Sequence, residues 1–136
     1  MTAIRRLPVH RKIVLVVEVV RAYRRAKRLQ RDNDLRTVLS ELRGGRPGGA
    51  DDAVSTVDAL RLGRAVSRTL AALPADSRCL MRSLVLTAML ARRGDTGTLV
   101  IGVKPGEAFG AHAWVEHRGK AVLPAYDAEF ARLVEL

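Results

Sequence analysis

Two residues in this chain have the right type and setting for covalent chemistry: its one cysteine, Cys79, and His112. Cys79 falls in the first turn of a helix read from Arg78 to Arg93, with Asp76 or Ser77 as its N-cap. Unpaired N–H groups and the helix dipole at such a start favour a thiolate. Arg78 and Arg82 add positive charge nearby. A lone cysteine is most often a buried, inert side chain, so its position alone singles Cys79 out. His112 sits in Gly110-Ala111-His112-Ala113-Trp114-Val115-Glu116. In a strand, Ala111, Ala113 and Val115 share one face, and His112, Trp114 and Glu116 share the other. Small neighbours let a helix end come close, as a base acting on a thiol requires. The plainer alternative is a partly buried histidine bonded to a carbonyl. His10, before the basic helix, and His117, in a turn, are weaker candidates. Three scattered histidines without i,i+4 spacing make no metal site, and no cofactor is expected.

A third group should orient the imidazole. If Arg118-Gly119 is a two-residue hairpin turn, His117 faces Lys120 and His112 faces Ala125. Asp127 shares the face of Ala125 and lies diagonal to His112. Its rival is Glu116, on the histidine's own face but further along the strand. Asp127 could equally cap the final segment, Ala128 to Leu136.

These residues need elements to hold them. The 136 residues suit one domain with one core. Aromatics are only 4% of a chain that is 48% hydrophobic, so the core must be mostly Leu, Val and Ala. That favours packed helices with a few short strands. A first helix spans 9 to 31, with Val9 or Ile13, Val16, Val17, Val20, Tyr23 and Lys27 at helical spacing. Asp32 or Asn33 caps a second, Asp34 to Arg43. Gly44-Gly45-Arg46-Pro47-Gly48-Gly49 is a break, either a hinge or a surface loop. A third helix runs from Ser55 to Leu73 and stops at Pro74. The helix from Arg78 is apolar nearly all round, hence central and buried, and Gly94 is its C-cap. Strands follow at Thr98 to Val103, Ala111 to Glu116, and Lys120 to Pro124 or Ala125. The fold class is α+β, helices first and then a small antiparallel sheet on a central helix. Residues 1–50 form a basic helical region and 51–136 the core that carries the chemistry, within one compact domain.

The net charge is +10, from 24 basic and 14 acidic residues, and the basic ones lie mainly in the first half. Such a surface attracts polyanions, acidic membranes or acidic peptides, unless it serves solubility alone. Aromatics are not interleaved with the arginines, so nucleic acid is not the expected partner. One cysteine excludes an intramolecular disulfide and fits a reducing cytoplasm. The apolar run Ile13 to Val20 is broken by Glu18, lacks a cleavage site, runs into Arg21, and is too short to span a bilayer. It reads as a buried or partner-facing helix of a cytoplasmic protein.

Cys79-Leu80-Met81-Arg82-Ser83-Leu84, Arg92-Arg93-Gly94, Leu99-Val100-Ile101-Gly102-Val103, Ala111-His112-Ala113-Trp114-Val115-Glu116 and Gly119 together resemble the lasso peptide maturation protease. This is a transglutaminase-like, papain-like cysteine peptidase, and the resemblance covers about residues 60 to 136. It implies removal of the leader from a ribosomally made lasso precursor by a Cys-His-Asp triad. It also implies a separate leader-recognition protein as partner, and a lasso cyclase that takes the freed core peptide. By position, Cys79 is the nucleophile and His112 the base. The family's Asp, twelve residues after the histidine, is replaced here by Pro124, so Asp127 must serve from a different register or the site acts as a dyad. The basic cluster at Arg24, Arg25 and Arg28 is expected to dock the recognition protein or an acidic leader. Two other functions compete: a non-catalytic peptide-binding adaptor of the same fold, and a small basic nucleic-acid-binding protein.

Overall fold

A computed structural model describes residues 8–49, 53–72, 79–104, 110–123 and 131–136 of the chain. Among these residues four helices precede one four-stranded antiparallel sheet: α1 (Val9–Asp32), α2 (Leu35–Leu42), α3 (Thr56–Ala72), α4 (Cys79–Arg92), β1 (Thr98–Lys104), β2 (Gly110–His117), β3 (Lys120–Ala121) and β4 (Ala131–Glu135). The α+β expectation holds. The cap of α2 lies further along than expected. Asp34 accepts from the Thr37 N–H at 2.8 Å. That hydrogen bond holds its carboxyl below the usual range. Asn33 instead turns back to the Leu29 carbonyl at the end of α1.

The central helix is α4. Met81 and every residue from Ser83 to Ala91 are buried. Its two buried hydroxyls are satisfied within the helix: Ser83 Oγ donates to the Cys79 carbonyl and Thr87 Oγ1 to the Ser83 carbonyl, each at 2.8 Å. The helix stops at Gly94, whose φ of 80° suits a residue without Cβ. Helices α1, α2 and α3 and strand β2 all pack on α4. Helix α1 buries Val19, Ala22 and Ala26. Glu18, which breaks the apolar run, accepts both guanidinium NH groups of Arg93 at 2.6 and 2.9 Å. These hydrogen bonds raise the Arg93 pKa.

This packing turns most of the expected seam of α1 outward. Val9, Ile13, Val16 and Val17 are exposed, Val20 and Lys27 are half-buried, and Tyr23 packs against the core. The inward face is narrower and carries two alanines, which let α1 lie close to α4. Residues 44–49 side with the surface-loop reading. The Gly49 N–H donates to the Gly97 carbonyl, Thr96 Oγ1 to Pro47, and Arg46 to Ala91, which pins the segment to the turn after α4.

The sheet order is β3-β2-β1-β4. The β2–β3 hairpin turns at Arg118 and Gly119, with φ of 52° and 78°, as a two-residue turn matching strand twist demands. His117 faces Lys120, as expected. The third strand is shorter than expected: the ladder ends at Ala121, and Val122 and Leu123 both direct their N–H groups at the Val115 carbonyl. Strand β4 was not anticipated. It pairs with β1, with an irregularity at Ile101/Gly102. Arg43 is buried beneath it and donates to the Leu136 carbonyl at 2.9 Å. Burial lowers its pKa.

Gly63 lets α3 touch the end of the hairpin. A Cβ there would overlap the Val122 carbonyl. Gly63→Ala should therefore lower unfolding stability by about 2–3 kcal/mol, although Gly to Ala inside a helix normally adds about 1 kcal/mol. Urea unfolding reads the sign directly, and a gain in stability would contradict this contact.

Candidate active site

Cys79 is the first residue of α4 and is half-buried. Its Sγ accepts the backbone N–H of Ala113 at 3.4 Å. The reason lies in the sheet. Residues alternate along a strand in the edge to which they turn N–H and C=O. The Val115 carbonyl bonds Val122, on the β3 side. Ala113 therefore points its N–H to that same side. Strand β3 pairs only with Glu116 and His117, so it does not reach Ala113. The start of α4 takes that place. Sulfur and imidazole are thus anchored one peptide unit apart, because the amide that meets Sγ joins Ala113 to His112.

His112 is half-buried and pairs with Gly102 across the sheet. Its ring stacks on Trp114, with centroids 6.4 Å apart and planes 27° apart. Trp114 is buried on the same face and lies over Gly102, where a Cβ would come within 3.0 Å of the indole. The indole Nε1 donates to Glu116 at 2.9 Å. Arg132 of β4 grips the same carboxylate with two hydrogen bonds, at 2.7 and 2.9 Å. These hydrogen bonds to Glu116 raise the Arg132 pKa. The rival orienting group is therefore spoken for. Four residues of strand also separate Glu116 from His112, roughly 13 Å. Asp127, Pro124, Arg78 and the capping residues Asp76 and Ser77 lie outside the described residues, as does the Ala125 pairing. Arg82 is half-buried one turn along α4.

His117 departs from its expected place in a turn. It ends β2 and is fully buried. Its Nε2 lies 2.9 Å from Asp95 Oδ2, and its Nδ1 lies 3.3 Å from Thr56 Oγ1. Asp95 is also fully buried and accepts the N–H groups of Val54 and Gly97. This cluster ties α3, the turn after α4 and the end of β2 together. One signal for it stands in the sequence: Asp95-Thr96-Gly97 directly after the Gly94 cap suits an Asx turn, in which a side chain bonds the N–H two residues on. The partner His117 lies 22 residues later and carries no local signal. His10 is exposed on α1.

No helix among the described residues is long and apolar enough to cross a membrane. The family model of the transglutaminase-like superfamily matches residues 15–135, and the chain belongs to that superfamily. The match takes in most of α1 as well as the sheet. No curated protein and no solved structure matches the chain.

The two strand histidines should respond differently to removal. His117→Ala strands a buried carboxylate and should cost about 3 kcal/mol of stability. His112→Ala, at a half-exposed position, should cost less than about 1 kcal/mol. Urea unfolding of both variants measures the difference. Equal losses would make His112 a structural residue like His117.

Proposed function

We propose that this member of the transglutaminase-like superfamily is a cysteine peptidase. It removes the leader from a lasso peptide precursor, acting with a separate leader-recognition protein. The observation that supports this most is the contact between Cys79 Sγ and the amide next to His112. It holds a thiol at a helix start against the backbone that carries His112, and nucleophilic catalysis pairs a thiol with such a base. The lasso assignment rests on the sequence resemblance, and the family match supports the coarser reading of a transglutaminase-like enzyme.

The chemistry follows in two halves. His112 takes the Cys79 proton, and the thiolate attacks the carbonyl carbon at the end of the leader. The Cys79 backbone N–H has no partner within its helix, because the first four N–H groups of a helix never do. It therefore faces the developing oxyanion as a donor. The carbon–nitrogen bond breaks, and His112 returns its proton to the departing amine of the core peptide. Water, deprotonated by the same imidazole, then attacks the thioester and releases the leader acid. Asp127 is proposed to hold the imidazole in the required tautomer. Trp114 limits how the ring turns, because it is itself fixed by Glu116 and Gly102. The core peptide passes to a cyclase.

Leader cleavage in the presence of the recognition protein tests the reading. Cys79→Ala should abolish it, and His112→Ala should slow it about 10²–10⁴-fold. Asp127→Asn should lower kcat and leave KM unchanged. Iodoacetamide near neutral pH should label Cys79 rapidly, and more slowly once His112 is replaced. Tight leader binding with slow labelling and no cleavage would instead make the chain a peptide-binding adaptor.

A further inference from the structure

Helix α1 carries a face that the other described residues leave uncovered. Val9, Ile13, Val16 and Val17 are 73%, 58%, 43% and 44% exposed. With half-buried Val20 they follow the i, i+4, i+7, i+8, i+11 spacing of one helix stripe. The same stripe runs on through Arg24, Lys27 and Arg28. Its outward side is therefore apolar for three turns and basic for the next two. Between Val9 and Arg31 the single acid is Glu18, which turns inward to Arg93. Valine and isoleucine are mediocre helix formers. Four of them exposed on one stripe strain helix propensity with little packing gain among the described residues.

The lengthwise order selects the occupant. A helix lying flat on a bilayer keeps its cations beside the apolar stripe, where they reach the headgroups. Here Arg24 and Lys27 sit within the stripe itself, with Arg28 at its flank, and a flat helix would push the first two toward hydrocarbon. A second copy offers no carboxylate on this face to meet Arg24 and Arg28, and two chains of net charge +10 repel. A helix of another protein, apolar at one end and acidic at the other, satisfies both halves. Arg25 takes no part: it donates to the Glu41 carbonyl at the end of α2.

We propose that the outward face of α1 docks such an amphipathic acidic helix, belonging to the leader-recognition protein. The identity of that partner rests on the function proposed above; the shape and charge of the face do not. The test is titration of purified recognition protein against the full chain, read by calorimetry. Ile13→Asp with Val17→Asp should weaken binding at least tenfold. Arg24→Glu with Arg28→Glu should weaken it similarly and flatten its dependence on salt. Arg25→Glu should weaken it far less. Iodoacetamide labelling of Cys79 should be unchanged in all of them, which reports an intact fold and separates loss of docking from loss of the peptidase site. Absent binding, or binding indifferent to both pairs, overturns the proposal. So does a wild-type dimer that Ile13→Asp makes monomeric in sedimentation. Binding to phosphatidylglycerol vesicles that the same change abolishes, with the recognition protein unaffected, also overturns it. Failure of cleavage in the Cys79 and His112 experiments would bear on the peptidase reading alone.

Discussion

The rest of the structure depends on the burial of α4 on all sides. A helix packed by three others and by a sheet cannot slide or roll without opening a gap somewhere in a close-packed interior. Its two ends are therefore fixed points. The C-terminal end is held by the left-handed Gly94 and by Arg93, which reaches Glu18 on α1 and the Met89 carbonyl. The N-terminal end arrives at the edge of β2 with Cys79 foremost. A residue on a surface helix would have to be positioned by its own contacts. Cys79 is positioned by the whole core behind it.

The sheet contributes an interruption. Strand pairing runs along the β2–β3 hairpin as far as Ala121, Val122 and Leu123 close it on the Val115 carbonyl, and the edge beyond is where Cys79 meets the Ala113 N–H. A longer β3 would have filled that edge and displaced the helix. Gly63 belongs to the same arrangement, because α3 must approach the Val122 carbonyl where the hairpin bends away. The end of the hairpin thus meets the bare glycine on α3 at Val122, and the edge of β2 meets the cysteine at the head of α4 at Ala113.

Much of this was legible in the sequence, and what was missed has a physical pattern. Periodicity, Gly94 and the Arg118-Gly119 turn are local signals, and they placed the four helices to within a residue and the β2–β3 turn at its own residues, while β3 ends three or four residues short of its expected end. Side selection on α1 was not local. Hydropathy favours the valine stripe, but close packing on α4 favours the slimmer side with Ala22 and Ala26, and packing decides which side turns inward. Strand β4 was missed because its five residues are exposed throughout, so no buried alternation marks it. The site was legible to the extent that it depends on helix starts and strand neighbours. Its polar support was not: Arg132 reaches Glu116 from another strand, and Asp95 meets His117 across 22 residues.

The strand parity of β2 accounts for both histidines together. Residues an odd number apart on a strand lie on opposite faces, and His112 and His117 are five apart. Val115 belongs to the core cluster beside α4. That places Ala113 and His117 inward with it, and His112, Trp114 and Glu116 on the other face. The inward histidine therefore had to find buried partners, which Asp95 and Thr56 supply. The outward one could stay half-exposed beside a tryptophan and next to the helix edge. One alternation thus yields a histidine that holds the fold and a histidine left accessible for chemistry. A single-residue insertion between them would make their separation even and turn both histidines to one face, so that one of the two roles would be lost.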